Sequence, residues 1–531
     1  MQMCKKTYKQ FSKAAFVLWS LLAHNLCANT FTVTTTNVAG PGSLAAAILQ
    51  ANQTPGSNVI NITVTNAITQ SVMLPVITKS VSIIGTANTA AIISGGGTQP
   101  IFIFSSDTTN SLANLILKNG FLANVGSSAG SAINNSGTLF VNNCVFTNNQ
   151  STNSFGGAIF NGGRMTIVSS LIVGNNAQLG GGIYSTGDLV IAQSTLIKNT
   201  AFGGNGAPGY SQGGGGGGGM GGSLLAYSGI VHITNSTFVN NRTYGGNPGI
   251  SSGIYWGGGS GGGVNGGSGG GATVQYYPPA YGVGYGSAGG FGGGGGGAGV
   301  NSSVNISGGL GGFGGGAAGS GGSGFGGAIL VNTDVIIDIV NSTIISNNCY
   351  GSGTGLGLGG GIYNNFGKVT ILNTIIAGNI TTTSSPDLIG SFNSLGNNLI
   401  GNNEGTSGLS LLDFQNVSAN LGPLQNNGGP TPTCAELPDS PSILGGTGTG
   451  APLFDQRGIS RPPDAVDIGA FQFTTNVLSP VFFTNPNSVT NNYGLSAYLS
   501  FSCGNTNLQP DCNPYEFIWH FSSQESRGFE G

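Results

Sequence analysis

The sequence predicts an all-β chain wound as a right-handed parallel β-helix, with an N-terminal cap helix, glycine-rich loop insertions and a C-terminal cap. Three observations lead there. A unit recurs at fixed spacing: Ile159 and Ile183, Ser170 and Ser194, and Asn175 and Asn199 are each 24 residues apart. The units consist of short apolar runs separated by Gly and Asn, with no helical segment between them, and a period in this range reads as stacked coils. Charged residues make up only 5% of the chain while glycine supplies 101 of its 531 residues. Asn, Ser and Thr therefore fill the polar positions, as suits side chains stacked coil on coil, where like charges would repel.

Lys5, Lys6, Lys9 and Lys13 precede the apolar run Ala14 to Ala23, and Leu26-Cys27-Ala28 offers a small residue for cleavage. This reads as a secretory leader over 1–28, too short to span a membrane. The residues before Cys27 lack the small side chains that lipidation of that cysteine calls for. Removing the leader takes four of the 13 basic residues and leaves nine against 16 acidic ones, with no basic stripe, which disfavours nucleic acid as a partner. Five cysteines remain (Cys144, Cys349, Cys434, Cys503, Cys512), too few and too scattered for a disulfide scaffold. Only Cys503 and Cys512 are close enough in sequence to suggest a bridge.

Residues 29–120 carry the cap and the first coils. Phe31 to Thr36 alternates as a strand, and the segment from Leu44 to Asn52, with Ser43 as its N-cap, reads as a short amphipathic helix closing the open first coil. Val59–Val64, Val81–Ile84, Ala91–Ile93 and Ile101–Phe104 read as strands. Over 121–380 a corner asparagine recurs at Asn148, Asn175, Asn199, Asn241, Asn347 and Asn379, expected to stack from coil to coil. Two glycine-rich insertions, 203–222 and 245–327, interrupt that ladder. Having few side chains to bury, they read as flexible loops projecting from one face. The second carries Tyr255, Trp256, Tyr276, Tyr277, Tyr281, Tyr285, Phe291 and Phe313, either as contact residues for a partner or as pins holding the loop to the wall.

From 381 to 473 the pattern changes to Leu395-Gly396-Asn397-Asn398-Leu399-Ile400-Gly401, then Leu421-Gly422-Pro423-Leu424-Gln425-Asn426-Asn427-Gly428-Gly429-Pro430-Thr431. After Ser440-Pro441-Ser442-Ile443 come Asp455-Gln456-Arg457-Gly458, Arg461-Pro462 and Asp467-Ile468-Gly469-Ala470-Phe471. This succession resembles the choice-of-anchor Q region that ends many secreted bacterial parallel β-helix proteins of pectin-lyase-like fold. Phe31-Thr32-Val33-Thr34, Gly40-Pro41-Gly42-Ser43-Leu44 and Ala51-Asn52 resemble the opening motif of the same proteins. The Gly-Gly-Ala-Ile units at 156–159 and 326–329, with Phe146-x-x-Asn149 and Phe238-x-x-Asn241, also resemble the repeats of chlamydial polymorphic outer-membrane proteins. Leu444, Gln472 and Cys434 depart from the usual terminal pattern. Beyond Phe473 the alternating runs around Phe482, Phe501 and Trp519 faintly resemble the start of a truncated β-sandwich over 474–531.

Because parallel β-helices host pectate lyases and polygalacturonases, the chain was searched for their chemistry. Hydrolysis of a glycosidic bond needs two carboxylates on the order of 5–9.5 Å apart. Between 121 and 380 the only acidic residues are Asp188, Asp334 and Asp338, and Asp334 and Asp338 are ~13 Å apart along one strand face. Arg164 precedes Asp188 by one coil and should form a structural ion pair with it. His232 reads as a lone, solvent-facing side chain. Asp455, Arg457, Arg461, Asp464 and Asp467 form the one dense charge cluster, suited to binding an ion or anion but expected instead as a salt-bridged cap over the last coil. No catalytic triad, metal-ligand spacing or phosphate loop appears, so no cofactor is expected. The sequence thus points to a monomeric, non-enzymatic protein, secreted or on a bacterial cell surface. It would engage host-surface or envelope glycans or proteins through stacked polar faces and the aromatic loop. The alternative is a polysaccharide lyase or hydrolase of the same fold.

Overall fold

One coil shows how the chain winds. Ile159–Asn161 turns at Gly162 into Arg164–Val168, bends at Ser169 into Leu171–Val173, and bends again at Gly174 into Asn176–Ala177 before the next coil begins at Ile183. Every coil-to-coil pairing is parallel and in register, Ile159 on Ile183 and Arg164 on Asp188 among them. The corners need residues that accept a left-handed backbone, and Ser169 (φ 50°), Gly174 (φ 65°) and Gly180 (φ 67°) supply it here. This computed structural model describes residues 29–474 except 88, 124–128, 153, 210–211, 252–257, 265, 268–284, 299–307 and 383–386. The chain divides into two units at Gln472/Phe473, and of the second only 473 and 474 are described. Its sandwich-like reading and Cys503 and Cys512 lie outside the described residues, as does the leader.

The fold is a right-handed parallel β-helix. An 11-stranded parallel sheet runs from Ile68–Thr69 to Phe414–Gln415, so the coils continue past residue 380, where the sequence placed their end. Inward positions alternate along each strand and are closed to solvent: Met165 and Ile167 stack on Leu189 and Ile191, then on Val231 and Ile233. At the N-terminal end the helix Leu44–Gln53 forms as its residues predict. The Ser43 hydroxyl accepts from the Ala46 N–H at 3.2 Å, and Leu44, Ala47, Ile48 and Ala51 are buried.

Two polar ladders run inside the rod. In the first, Asn175 Oδ1 accepts from the Asn149 N–H (3.0 Å) and Nδ2 (2.9 Å), and Asn199, Asn241, Asn347 and Asn379 repeat the arrangement upward. The ladder member is Asn149, not Asn148. Each corner has two positions, the first left-handed and facing water, the second turned inward. Asn148 (φ 53°) takes the first, where Gly174 and Lys198 stand one and two coils later. In the second ladder the Ser170, Ser194, Ser236, Ser342 and Thr374 hydroxyls each accept the N–H of the coil below, and Asn398 follows. Both ladders end on an aspartate, Asp387 above Asn379 and Asp413 above Asn398. A carboxylate only accepts, so it meets the last pair of donors without bringing donors of its own that need partners. These side chains are 0–9% exposed. The stacked Asn and Ser groups are thus internal scaffolding rather than the outward polar faces that the sequence suggested for partner contact.

Candidate functional site

The glycine insertions fold into a hydrogen-bonded lattice, which corrects their reading as flexible loops. The segment 213–219 shows the principle. Gly214 and Gly217 donate to Ala207 and Gly204, Gly215 and Gly218 to Gly295 and Gly292, and Gly216 and Gly219 to Ser320 and Ser323. Each neighbour is thus met at every third residue, as a chain with three residues per turn requires. Other segments obey the same count. Gly289, Gly292 and Gly295 donate to Leu310, Phe313 and Gly316, and Gly203, Gly206 and Gly209 to Tyr244, Asn247 and Ile250. Cohesion comes from the main chain, so a buried side-chain core is not needed. Side chains are in fact excluded: a Cβ on Gly294 would strike the Gly215 carbonyl, and one on Gly216 the Gly246 carbonyl.

The lattice seats on the rod through aromatic rings. Phe160, Tyr184, Leu225, Leu330 and Tyr363 point outward from successive coils, and Phe291 and Phe313 from the insertion close over them. Phe291 stacks on Phe313 at 5.3 Å and meets Tyr227 edge-on at 5.3 Å, while Phe313 lies 5.0 Å from Phe325. Phe291 and Phe313 are therefore pins. Tyr285 is 72% exposed. Tyr255, Trp256, Tyr276, Tyr277 and Tyr281 lie outside the described residues; their segments, 252–257 and 268–284, follow Ser251 and Gly267 of the lattice. A separate row, Phe202, Tyr244 and Tyr350, stacks face to face at 5.0 and 5.2 Å, so these rings cover one another's faces.

Two charged contacts lie on the outward face of the five-residue strands. Arg164 and Asp188 form an ion pair, Nε to Oδ2 3.3 Å, with side chains 75% and 42% exposed. His232 is not the lone residue expected: it stands in register with Asp338, Nδ1 to Oδ2 3.2 Å. The sequence hid this partnership because 106 residues separate the two, most of them insertion. Among the described residues no group of three or more His, Cys, Asp and Glu side chains could hold a metal. No described helix is long and apolar enough to cross a membrane.

The C-terminal charges do not cap the last coil. From Val417 to Gln472 the chain turns back and straps the flank of the rod across several coils. Thr431 and Pro432 bond Gln193 and Thr195, Phe454 bonds Asn235, Asp467 bonds Asn341, Thr447 bonds Asn373 and Gly445 bonds Asn397. The strap covers outward-facing Thr195, Thr237, Thr343, Ile375 and Leu399, all 0–1% exposed, and that burial is what holds it down. Gln456 ties it in place, donating to Thr195 and Thr431 at 2.8 Å and accepting from Thr237 at 2.7 Å.

Inside the strap, Asp455 pairs with Arg457 at 2.7 Å, and the Arg457 guanidinium lies 3.5 Å over Phe471. Arg461 donates to the carbonyls of Asp467 and Gly469 and to the side chains of Gln472 and Asn235. Burial lowers its pKa to about 10. Asp464 is exposed and outside the cluster. Glu436 is inside it, which the sequence did not signal. Burial first, and then the charge of Asp467, push Glu436 up to about 9. Where the strap leaves the last coil, a cleft of about 410 Å³ opens between Ser346, Gly378 and Asn402 on the rod and Val417 to Leu421. Asp387 lines it; burial raises its pKa to about 6, and Asn379 holds its Oδ1 with two N–H groups.

Comparison with known proteins adds little to this. No family model matches the chain, and no curated protein does either. Among solved structures the crystal structure of pectate lyase Pel9A is similar over 85% of this chain and 98% of that one, at 13% identity and a TM-score of 0.39. A likeness of that size carries no chemistry from one protein to the other.

Proposed function

We propose that this is a non-enzymatic binding protein, secreted or held at a cell surface, in which the glycine lattice serves as an arm carrying contact residues away from the rod. The lattice supports this most strongly. Glycine loses more conformational freedom on ordering than any other residue. A long ordered run of it offers no side-chain chemistry of its own, so its use lies in what it positions. The stretches with Tyr255, Trp256, Tyr276, Tyr277, Tyr281 and exposed Tyr285 follow directly from it in the chain. Surface glycans or proteins are the partners such amphipathic rings suit. The leader-like N-terminus and the resemblance of 373–473 to anchor regions support export.

A second reading, a polysaccharide lyase or hydrolase, draws on His232 and Asp338, because a histidine oriented by a carboxylate is a common general base. One experiment separates the two. Purified protein, a variant with 252–257 and 268–284 replaced by short glycine links, and His232→Ala are assayed on a glycan and cell-surface panel for retention and for released reducing or unsaturated ends. Retention lost only in the link variant, with no product from any protein, supports the binding reading. Product formation that disappears in His232→Ala refutes it.

A further inference from the structure

Among the described residues, the polar interior of the strap holds more carboxyl groups than guanidiniums. Glu436 (4% exposed), Asp455 and Asp467 (each 0%) bring three carboxyl groups into it, and Arg457 and Arg461 bring two guanidiniums. Asp455 and Arg457 neutralise each other in direct contact, while Arg461 is felt by Glu436 and Asp467 together. Neither carboxyl oxygen of Glu436 has a hydrogen-bond donor, and neither does the Arg461 Nε have an acceptor. An uncompensated charge this deep costs several kcal/mol and is usually removed by neutralisation. Either a proton or a cation could remove it. The charge of Asp467 nearby favours the proton, because a neutral carboxyl has no like charge to repel. A metal ion there would also stand beside the Arg461 guanidinium.

Within the strap Glu436 faces Asp467, Arg461 and the Ser442 hydroxyl, with Asp455 and Arg457 behind Arg461 and the Cys434 thiol two residues away on the same strand face. From the rod, the Asn235 and Asn341 amides and the Thr343 hydroxyl reach this region. We infer that Glu436 holds a proton in the docked strap and that this proton is the latch holding the strap against the flank of the rod, so that losing it releases the strap and uncovers the Thr195–Thr237–Thr343–Ile375 stripe.

The sign follows from linkage. Glu436 is raised to about 9 in the docked strap and returns to the ordinary carboxylate range when released. Docking is therefore strongest below that ordinary range, weakens as pH rises, and levels off above about 9. Between those limits release frees one proton, so the open population grows about tenfold per pH unit.

Cys434, 2% exposed in the strap, reports opening, while Cys144 and Cys349 in the rod serve as internal controls. The full chain is alkylated with iodoacetamide from pH 6 to 10, each thiol being normalised to its rate in denaturant at the same pH. The normalised Cys434 rate should rise roughly a hundredfold between pH 7 and 9 while Cys144 and Cys349 stay flat. Glu436→Gln, whose neutral amide does not titrate, should abolish the rise; Asp467→Asn, which removes the neighbouring charge, is the second variant should the first misfold. An equal rise in wild type and variant, or no rise in wild type, overturns the latch. So does Cys434 opening at pH 7 on treatment with a chelator, which would put a cation in the proton's place.

Discussion

Replacing Asn175 by alanine tests the ladder that fixes the coil stacking. Asn175 accepts from the Asn149 N–H and Nδ2 and donates from its own Nδ2 to the Phe146 carbonyl (3.0 Å) and to Asn199 Oδ1 (2.9 Å). Truncation strands the Asn149 N–H with no acceptor in a site closed to water, costing about 1–3 kcal/mol, and the remaining lost bonds add about 1 kcal/mol each. The expected loss is about 4–6 kcal/mol. Asn148→Gly is the matched control. That position faces water with φ 53°, glycine tolerates the left-handed backbone, and the change should stay within about 0.5 kcal/mol. Solenoids need not unfold in one step, so urea denaturation should be read with hydrogen exchange at 133–199. If Asn175→Ala costs no more than Asn148→Gly, the stacking does not depend on the buried ladder and the reasoning fails.

Three further outcomes follow from the same physics. Gly294→Ala drives a methyl into the Gly215 carbonyl and should cost about 1–3 kcal/mol of local stability, seen as faster proteolysis within 203–323 at unchanged rod melting. Gln456→Ala removes two buried bonds to the rod and a third that braces Thr431 within the strap and should weaken strap docking by about 2–4 kcal/mol, measured by exchange over 431–472. Arg164→Ala breaks only an exposed ion pair and should change stability by less than about 1 kcal/mol in urea titration.

The winding of the rod was legible because a parallel β-helix repeats its core side chain by side chain, so Ile159 over Ile183 and Arg164 over Asp188 could be read from spacing alone. The same method slipped by one residue at Asn148. Two asparagines stand side by side in that corner, and only the backbone conformation shared with Gly174 and Lys198 tells the water-facing position from the inward one. The lattice left no comparable trace. Hydrophobic patterning reports side-chain burial, and these segments cohere through N–H and C=O groups that every residue carries. The strap and the His232–Asp338 contact were hidden by distance: Gln456 meets Thr195 across 261 residues, and nothing local marks either partner. Glu436 was missed for a related reason, since an isolated glutamate in a Cys-Ala-Glu-Leu strand carries no sign that Asp467 lies beside it.

The claim that the glycine tracts form an ordered arm is tested most directly by residue-resolved hydrogen exchange across Gly213–Gly219 and Gly289–Gly297. Gly214 through Gly219 should exchange at least a hundredfold more slowly than an unstructured chain, since that protection needs an opening free energy of only about 2.7 kcal/mol. Exchange at random-coil rates throughout both stretches, with the coils on either side protected, would mean the tracts are loose after all and would remove the arm from which the binding role is argued.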